Sequence, residues 1–393
     1  MMPAARVQAA IELLDDIIAA ARDAGPAADT IIARYFKTRR YAGSKDRRAV
    51  RELVYRAIRR SGERPASGRT AMLGVTQEEE SLLALFDGTP HGPAPVQDGE
   101  AAVDASAAPS WLVQRFDLLL DAAEFDALLY RATLDVRINR LKGRREEAQA
   151  ALAEATLTPL SPIGLRLPVG FAVDEHPLHH SGLIEVQDEG SQLLSLASGV
   201  EPGMTVIDLC AGAGGKTLAL AAEMGNRGRI IALDTDRNRL SRLAPRAERA
   251  GATIIEQRLL NPGAEMDVIA DLRATADMVL VDAPCSGTGT WRRNPESRWR
   301  LDPKRLSRLV NLQAHLLGLA AELVRPGGHL VYAVCSLLTE EGRGQADTFE
   351  ASRSGMVSET LPIPGGREAG SGRLLTPGHD GTDGFFVARW RVP

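Results

Sequence analysis

Four short apolar runs in the second half of the chain restrict its fold more than any other feature. They cover residues 206–210, 230–234, 278–284 and 329–336, and each ends in a polar or reactive side chain. Strands that are apolar on both faces are typical of a parallel sheet covered by helices on both sides. Helical patterns alternate with these runs. The sequence therefore predicts an α/β domain over residues 181–393 with a mostly parallel sheet, whose ligands bind at the carboxyl ends of the strands.

The first 180 residues have a different organisation. In residues 1–88 apolar side chains recur at helical spacing, for example at Val7 and Ile11, which predicts an all-helical domain. Residues 89–109 are rich in Pro, Gly, Ala and acids, and we interpret them as a linker. Short strand patterns and an Ala- and Glu-rich helix follow, which predicts a small α/β module over residues 110–180.

The composition limits the class of protein. With 393 residues, of which 44% are hydrophobic, the chain can bury a full core. No apolar run approaches the roughly 18 residues of a membrane span, and Asp15 and Asp16 interrupt the first helix, which argues against a secretory signal. The cysteines form neither a disulfide framework nor a paired zinc motif. We therefore expect a cytoplasmic monomer that binds neither a membrane nor a metal.

Basic residues are clustered although the net charge is −4. The segment from Arg34 to Arg64 contains twelve Lys or Arg residues and three acids, and a second cluster that includes Trp291 and Trp299 follows residue 290. Exposed charges act over about 8 to 10 Å in physiological salt, so local clusters matter more than the sum. Arginines suit phosphates and aromatic rings suit unpaired bases, so both clusters predict contact with looped or single-stranded RNA.

A glycine-rich loop, DLCAGAGGKT at residues 208–217, follows the first apolar run. Cys210 stands where a phosphate-binding P-loop has its first glycine, and Thr217 where a dinucleotide fingerprint has its third. A cationic sulfonium suits the acidic strand end at Asp208, and Asp234 is placed to bind ribose hydroxyls. We therefore predict S-adenosylmethionine as the cofactor. The predicted binding residues are Cys210, Ala211, Gly212, Ala213, Gly214, Gly215, Lys216, Asp234 and Asp282.

Two cysteines end the third and fourth apolar runs, in DAPCSGTG (282–289) and YAVCS (332–336). Further motifs are QDEGSQL (187–193), RRNPESRW (292–299) and DGFFVARW (383–390). With the glycine-rich loop, they resemble the Sun/Fmu family of bacterial ribosomal RNA cytosine-C5 methyltransferases over almost the whole chain. The resemblance implies a Rossmann-like methyltransferase domain.

The chemistry of cytosine explains why this family needs a thiol. Carbon 5 becomes nucleophilic enough to take a methyl group only after a thiolate has added to carbon 6. The resemblance implies that Cys335 is this nucleophile and that Cys285 aids release of the methylated product. It also implies that Asp282 contacts the base near N3.

The basic N-terminal segment resembles the NusB-like RNA-binding domain that one branch of the family carries. That branch modifies naked small-subunit ribosomal RNA, so the resemblance implies 16S ribosomal RNA as the partner. Phosphate contacts from such a domain give affinity without reading sequence. The candidate RNA-binding residues are Arg39, Arg40, Arg47, Arg48, Arg292 and Arg293.

The chain departs from the family pattern at two places, and alternatives remain open. Val334 replaces the usual Thr before the second motif cysteine, and the third strand lacks the usual Gly-Asp that contacts adenine. Glu256, Gln257 or Asn261 are candidates to replace that contact. The same chemistry on transfer RNA is one alternative. A non-catalytic RNA-binding or antitermination factor is another, although it leaves both motif cysteines unexplained.

Overall fold

A computed structural model describes residues 1–23, 25–353 and 355–393. Its contacts divide the chain into two compact units. The helical unit comprises Met1–Arg131 and Thr290–Pro303, and the sheet unit comprises Ala132–Gly289 and Lys304–Pro393. The predicted fold class, an α/β sheet domain preceded by a helical region, is confirmed.

The helical unit is built around its first helix. Its α-helices are α1 (Pro3–Arg22), α2 (Ala28–Thr38), α3 (Ser44–Arg60), α4 (Gly68–Thr76), α5 (Ser110–Val113) and α6 (Ala122–Ala127). Val7, Leu14 and Ile17 are fully buried on one face of α1, whereas Asp15 and Asp16 are exposed. Helix α1 contacts α2, α3 and α4. The helical periodicity of the sequence is therefore the pattern that forms this core.

Residues 290–303 pack in the helical unit, although they follow the DAPCSGTG motif in sequence. The guanidinium of Arg298, which is fully buried, donates to two carbonyl oxygens of the last turn of α3, at 2.6 and 2.8 Å. The indole N–H of Trp299 donates to the carbonyl of Ser61 at 2.7 Å. The last carbonyls of a helix have no partner within it and carry partial negative charge, so a buried guanidinium is suited to them. This segment therefore caps the C-terminal end of α3.

The predicted linker lies along the helical unit. Residues 89–109, all of which the structure describes, contain neither helix nor strand. The N–H of Val103 donates to the carbonyl of Thr70 at 3.1 Å, and the N–H of Ser106 donates to the carbonyl of Arg60 at 2.9 Å. Side-chain spacing does not reveal such backbone contacts, so composition alone predicted a free segment.

The predicted domain boundary at residue 110 differs from the division of contacts, which falls after Arg131. The rings of Phe116 and Trp291 meet edge to face with centroids 5.7 Å apart, and both residues are buried in the helical unit. Residues 110–131 thus pack with a segment that is distant in sequence. This contact cannot be read from local patterns.

Residues 134–186 form an antiparallel sheet within the sheet unit, and its strand at Ile184–Val186 lies beyond residue 180, where the predicted module ends. Its elements are β1 (Leu134–Ile138), α7 (Arg145–Ala151), β2 (Thr156–Leu157), β3 (Gly164–Leu167), α8 (Pro177–His180) and β4 (Ile184–Val186). The strand order is β2-β3-β1-β4. The side-chain amide of Asn139, which follows β1, donates to the carbonyls of Gly182 and Ala250 at 2.9 and 2.8 Å. This buried amide ties the small sheet to the rest of the unit.

A larger sheet follows. Its strands are β5 (Thr205–Asp208), β6 (Arg229–Asp234), β7 (Ile255–Leu259), β8 (Ala276–Asp282), β9 (Val324–Val334), β10 (Val357–Ser358), β11 (Arg367–Ala369), β12 (Gly372–Leu375) and β13 (Phe385–Arg391). Its helices are α9 (Glu189–Ala197), α10 (Gly215–Glu223), α11 (Arg237–Leu240), α12 (Leu243–Ala250), α13 (Met266–Ile269), α14 (Pro303–Leu323), α15 (Arg343–Ser352) and α16 (Pro377–Asp380). The strand order is β11-β12-β13-β9-β8-β5-β6-β7, and β10 pairs with β13.

The order of the parallel strands places the ligand site. Strands β5 to β9 pair in parallel, whereas β10 to β13 are antiparallel additions. β5 lies between β6 and β8, so the chain winds outward in both directions from it. Such a switch point leaves a crevice at the carboxyl ends of the central strands. Asp208 ends β5 and Asp282 ends β8, at that crevice.

Two kinds of feature are absent from the part of the chain that the structure describes. None of its helices combines the length and apolar character needed to cross a membrane. Its His, Cys, Asp and Glu side chains form no group of three or more that could hold a metal ion.

Candidate active site

The glycine-rich loop connects β5 to α10 by a tight path. Gly212 and Gly214 have φ angles of +56° and +85°, in the left-handed region that favours glycine. A Cβ atom on Gly214 would lie 2.1 Å from a methyl carbon of Leu243, so only glycine fits there. The Gly212 N–H donates to Asp234 at 2.7 Å, which fixes the loop against the end of β6. The loop is thus held open as a cradle of backbone N–H groups at the start of α10.

Asp208 supplies buried negative charge beside this cradle. It is 1% exposed, and Thr217 donates to its Oδ2 at 2.7 Å. Its Oδ1 atom has no hydrogen-bond partner within the described residues. Burial, opposed by the hydrogen bond from Thr217 and reinforced by the carboxylates of Asp282 and Asp234, raises the pKa of Asp208 to about 7. A carboxylate cluster with an unsatisfied buried oxygen fits a cationic sulfonium better than a phosphate.

The buried Asp208 makes stability depend on pH. Its carboxyl has an ordinary pKa of 3.8 when unfolded and about 7 when folded. Between these values the folded state holds a proton that the unfolded state has lost, so stability falls as pH rises. We expect Asp208→Asn to gain stability relative to the wild type by up to about 4 kcal/mol between pH 4 and 8. Urea unfolding of both proteins across this range measures the difference, and parallel curves would contradict the burial argument.

Lys216 and Asp282 form an ion pair at the floor of the crevice. The ammonium of Lys216 donates to Asp282 Oδ2 at 2.6 Å. Burial opposes the charged form of Lys216, but Asp282 outweighs it by charge and hydrogen bond, and the pKa of Lys216 is raised. Cys335 is also close enough to interact with the charge on Lys216. A cation in this position stabilises a thiolate, and the sequence alone did not reveal which group would do so.

The two motif cysteines meet at the carboxyl ends of β8 and β9. These strands are parallel neighbours with Asp282 opposite Ala333, so the loops that follow them begin side by side. The sulfur atoms of Cys285 and Cys335 lie 3.3 Å apart, and both residues are partly exposed. The hydrogen bond with Cys335 raises the pKa of the Cys285 thiol well above its ordinary value, and burial adds to this. The two sulfurs are close enough for one thiol to donate a hydrogen bond to the other.

The third cysteine has a different environment. Cys210 directly follows β5 and Leu209, in the glycine-rich loop. Burial raises the pKa of its thiol well above the ordinary value, and the carboxylates of Asp208, Asp282 and Asp234 add to the effect. A thiol in this environment is a poor nucleophile. Its predicted role in packing and backbone contact remains a prediction.

The structure separates the predicted RNA-binding residues into two groups. Arg40, Arg47 and Arg48 are exposed on or beside α2 and α3. Arg39 is partly buried and stacks on the ring of Tyr35, 3.5 Å from its centroid. All four lie in the basic segment of the helical unit, and their contact with RNA remains a prediction.

The second group, Arg292 and Arg293 with the neighbouring tryptophans, is less exposed than predicted. Arg292 is 7% exposed, and Trp291 and Trp299 are buried at 1% and 3%, so the proposed stacking of bases on these tryptophans is wrong. Their rings instead pack against other aromatic and backbone groups of the helical unit. Arg293 is partly exposed and remains a candidate. A run of arginines and tryptophans has the same appearance in sequence whether it binds RNA or a helix end.

Two of the three candidates for the adenine contact, Glu256 and Asn261, differ in where they lie relative to the end of β7. Glu256 lies within β7 and pairs with Arg229 and Arg258. Asn261 follows the carboxyl end of β7 and is exposed. Ligands in such sheets lie beyond the carboxyl ends, so the geometry favours Asn261.

Sequence reasoning missed a buried carboxylate beneath the cysteine loops. Glu341 is fully buried and accepts hydrogen bonds from Ser286 and Ser336, the residues that follow the two cysteines. Gln313 of α14 is also fully buried and donates to Glu341 at 3.0 Å. The available signal was the acidic pair Glu340–Glu341 a few residues after YAVCS, but its burial depends on tertiary contacts.

Comparison with known proteins places this site in a family. The family model described as 16S rRNA methyltransferase RsmB/F matches residues 196–391. The chain is 38% identical over 298 residues to the "Probable ribosomal RNA small subunit methyltransferase B" of Synechocystis sp.. This match covers 71% of this chain and 66% of that protein. It is 36% identical to the ribosomal RNA small subunit methyltransferase B of Xylella fastidiosa strain 9a5c, over 72% of this chain and 68% of the relative. The chain thus spans about two thirds of the length of these relatives.

Solved structures extend the likeness to the whole fold. The crystal structure of PH0851 superimposes with a TM-score of 0.76 at 24% identity, over 98% of each chain. A methyltransferase homolog protein from Pyrococcus horikoshii gives 0.60 at 27% identity, over 69% of this chain and 90% of that one. The family model and the curated relatives confirm the resemblance to the Sun/Fmu family. The chain belongs to the RsmB/F family of 16S rRNA methyltransferases.

Proposed function

We propose that this protein transfers a methyl group from S-adenosylmethionine to carbon 5 of a cytidine in 16S ribosomal RNA. One observation carries the proposal, the pair of thiols 3.3 Å apart at the carboxyl ends of β8 and β9. A pair of thiols beside a buried ammonium and a carboxylate suits addition to an electron-poor pyrimidine ring. The relatives named as small-subunit ribosomal RNA methyltransferases support this RNA as the substrate.

The residues at the carboxyl ends of β5 and β6 support a place for the cofactor there. S-adenosylmethionine, when bound, supplies an electrophilic methyl group on a positively charged sulfur. The glycine-rich loop from Gly212 to Lys216 and the carboxylates of Asp208 and Asp234 would hold it. Asp208 offers the unpartnered oxygen Oδ1 to positive charge, and Asp234 fixes the loop through the Gly212 N–H.

Cys335 begins the chemistry as a thiolate supported by Lys216. Its sulfur bonds to carbon 6, and the electrons of the C5–C6 double bond move toward N3, which takes a proton that Asp282 relays from the Lys216 ammonium. Carbon 5 would then take the methyl group, and the electron pair of the broken sulfur–methyl bond would stay on the cofactor sulfur, which leaves as a neutral thioether. The carbon-5 proton leaves to water, the sulfur departs with its bonding pair, and N3 returns its proton to Asp282. The ring is restored and the thiolate regenerated.

Cys285 acts on the departing sulfur. Its raised pKa favours the thiol form, and its sulfur lies 3.3 Å from the sulfur of Cys335, within hydrogen-bond distance. A hydrogen bond to the sulfur stabilises the negative charge that develops as the S–C6 bond breaks. Cys285 therefore promotes release of the methylated base rather than the initial attack.

The exposed arginines of α2 and α3 provide an RNA surface in this proposal. Each phosphate contact contributes about 0.7 to 0.9 to the slope of log affinity against log salt. We expect Arg40→Gln, Arg47→Gln and Arg48→Gln each to lower that slope by this amount. Arg131→Gln removes the same charge from an exposed position outside the cluster and serves as the control. Filter binding of naked 16S RNA at several salt concentrations gives the slopes, and equal slopes for all four variants would refute this surface.

The substrate is tested by transfer of a labelled methyl group. The wild-type protein is incubated with naked 16S RNA, assembled small subunits and transfer RNA, and the RNA is digested to nucleosides. Mass spectrometry is expected to find 5-methylcytidine in naked 16S RNA. Label in transfer RNA alone would show that transfer RNA is the substrate of the same reaction and would overturn 16S RNA as the substrate. Label on an atom other than carbon 5 would overturn the proposed reaction.

A further inference from the structure

A buried carboxylate joins the loops that carry the two cysteines. Glu341 is 0% exposed and lies between β9 and α15. Its Oε1 atom accepts from the Ser286 N–H at 2.9 Å and from Gln313 at 3.0 Å. Its Oε2 atom accepts from the hydroxyls of Ser286 and of Ser336, the latter at 2.6 Å. These donors are all uncharged.

The donors to Glu341 show which segments this carboxylate joins. Ser286 directly follows Cys285, and Ser336 directly follows Cys335. One side chain therefore accepts from the neighbour of each reactive thiol. Its own backbone is fixed as well, since the Tyr332 hydroxyl on β9 donates to the Glu341 carbonyl at 2.7 Å.

Other contacts reinforce the same junction. Gln313 donates to the Pro284 carbonyl at 2.9 Å with the nitrogen that also binds Glu341. The Gly289 N–H donates to the Cys335 carbonyl at 3.1 Å, and the Leu337 N–H donates to the Thr288 hydroxyl at 2.9 Å. The two loops are thus linked by hydrogen bonds among residues 286–289 and 335–337, and among these acceptors Glu341 has the most partners.

Burial of a carboxylate without a cation is unfavourable unless its lone pairs are filled. Here the hydrogen bonds fill them, and charge-assisted bonds are shorter and stronger than neutral ones. A hydrophobic side chain would fill the same space without this cost, but it would provide no common acceptor for the two serines. The position therefore suits a group whose contribution is the spacing of the loops.

We propose that Glu341 is a positioning residue that holds Cys285 and Cys335 at thiol-to-thiol contact distance by accepting from Ser286 and Ser336. The expected effect of Glu341 on catalysis rests on the proposed methyl-transfer function. The spacing of the sulfurs is measurable without any methyl transfer, so the two proposals fail separately.

Phenylarsine oxide tests the spacing directly. Its arsenic bonds to two neighbouring thiols with loss of one water molecule, and the resulting ring resists an excess of a monothiol. We expect the wild type to retain one equivalent by intact mass, and Cys285→Ala to retain none. Glu341→Gln keeps the shape of the side chain but replaces one acceptor oxygen by a donor, so retention should fall at least tenfold. Glu340→Gln makes the same change at the adjacent position and should retain the wild-type equivalent.

Kinetics provide the second measurement. Glu341→Gln is expected to lower kcat at least tenfold and to leave KM for RNA and for S-adenosylmethionine unchanged, because it moves the thiols and not the binding surfaces. A general loss of folding would instead change both constants and the melting temperature. If Glu341→Gln does not fold, the Ser286→Ala/Ser336→Ala double variant removes both hydroxyl bonds to Glu341 Oε2 and is judged by the same criteria. Wild-type arsenical retention together with wild-type kcat would overturn the proposal.

Discussion

Cys335→Ala is expected to lose methyl transfer by at least about 1,000-fold, the scale on which removal of a covalent nucleophile acts. Without its sulfur, carbon 5 of cytosine never becomes an enamine carbon, and the other groups of the crevice have no means to activate it. The assay is transfer of labelled methyl from S-adenosylmethionine to naked 16S RNA under single-turnover conditions.

Cofactor binding provides the control for this variant. Cys335 follows β9, whereas the glycine-rich loop follows β5, and the loop is fixed by Asp234 rather than by the thiol. Affinity for S-adenosylmethionine by calorimetry should therefore match the wild type, as should the melting temperature. Methylation of carbon 5 at the wild-type rate by Cys335→Ala would disprove the covalent mechanism.

Cys285→Ala is expected to trap the enzyme on its RNA. The variant keeps the nucleophile and Lys216, so addition and methyl transfer proceed. It lacks the S–H that lies 3.3 Å from the departing sulfur, so the S–C6 bond breaks slowly. A band of covalent protein–RNA complex should accumulate on a denaturing gel, and multiple turnovers should fall by about 100-fold or more, as for removal of one stabilising donor.

The double variant Cys285→Ala/Cys335→Ala is the matched control for the adduct. It carries the same change at Cys285 but has no sulfur to bond to carbon 6, so no covalent band should form. A covalent band in the double variant would show that another residue attacks the base. Normal turnover without an adduct in Cys285→Ala would remove Cys285 from the release step.

Burial explains why some sequence predictions succeeded and others did not. The run at residues 230–234 corresponds to β6 (Arg229–Asp234), and its members are buried because a strand covered on both faces has no polar positions. Such a pattern is local, so it can be recognised without knowing how the rest of the chain is arranged. The arginine and tryptophan cluster after residue 290 has no such constraint, because its partners in α3 lie about 240 positions earlier.

The sequence by itself determined the parallel strands, the glycine-rich loop and the two reactive thiols, because periodicity and glycine geometry act over a few residues. Only the tertiary structure decided that Lys216 pairs with Asp282 in the electrostatic range of Cys335, that Arg298 caps the C-terminal end of α3, and that Glu341 links the two cysteine loops. Each of these depends on which groups leave water together, and the order of strands in the sheet sets those neighbours. Charged residues carry the least information in sequence because one side chain suits either solvent or a buried partner.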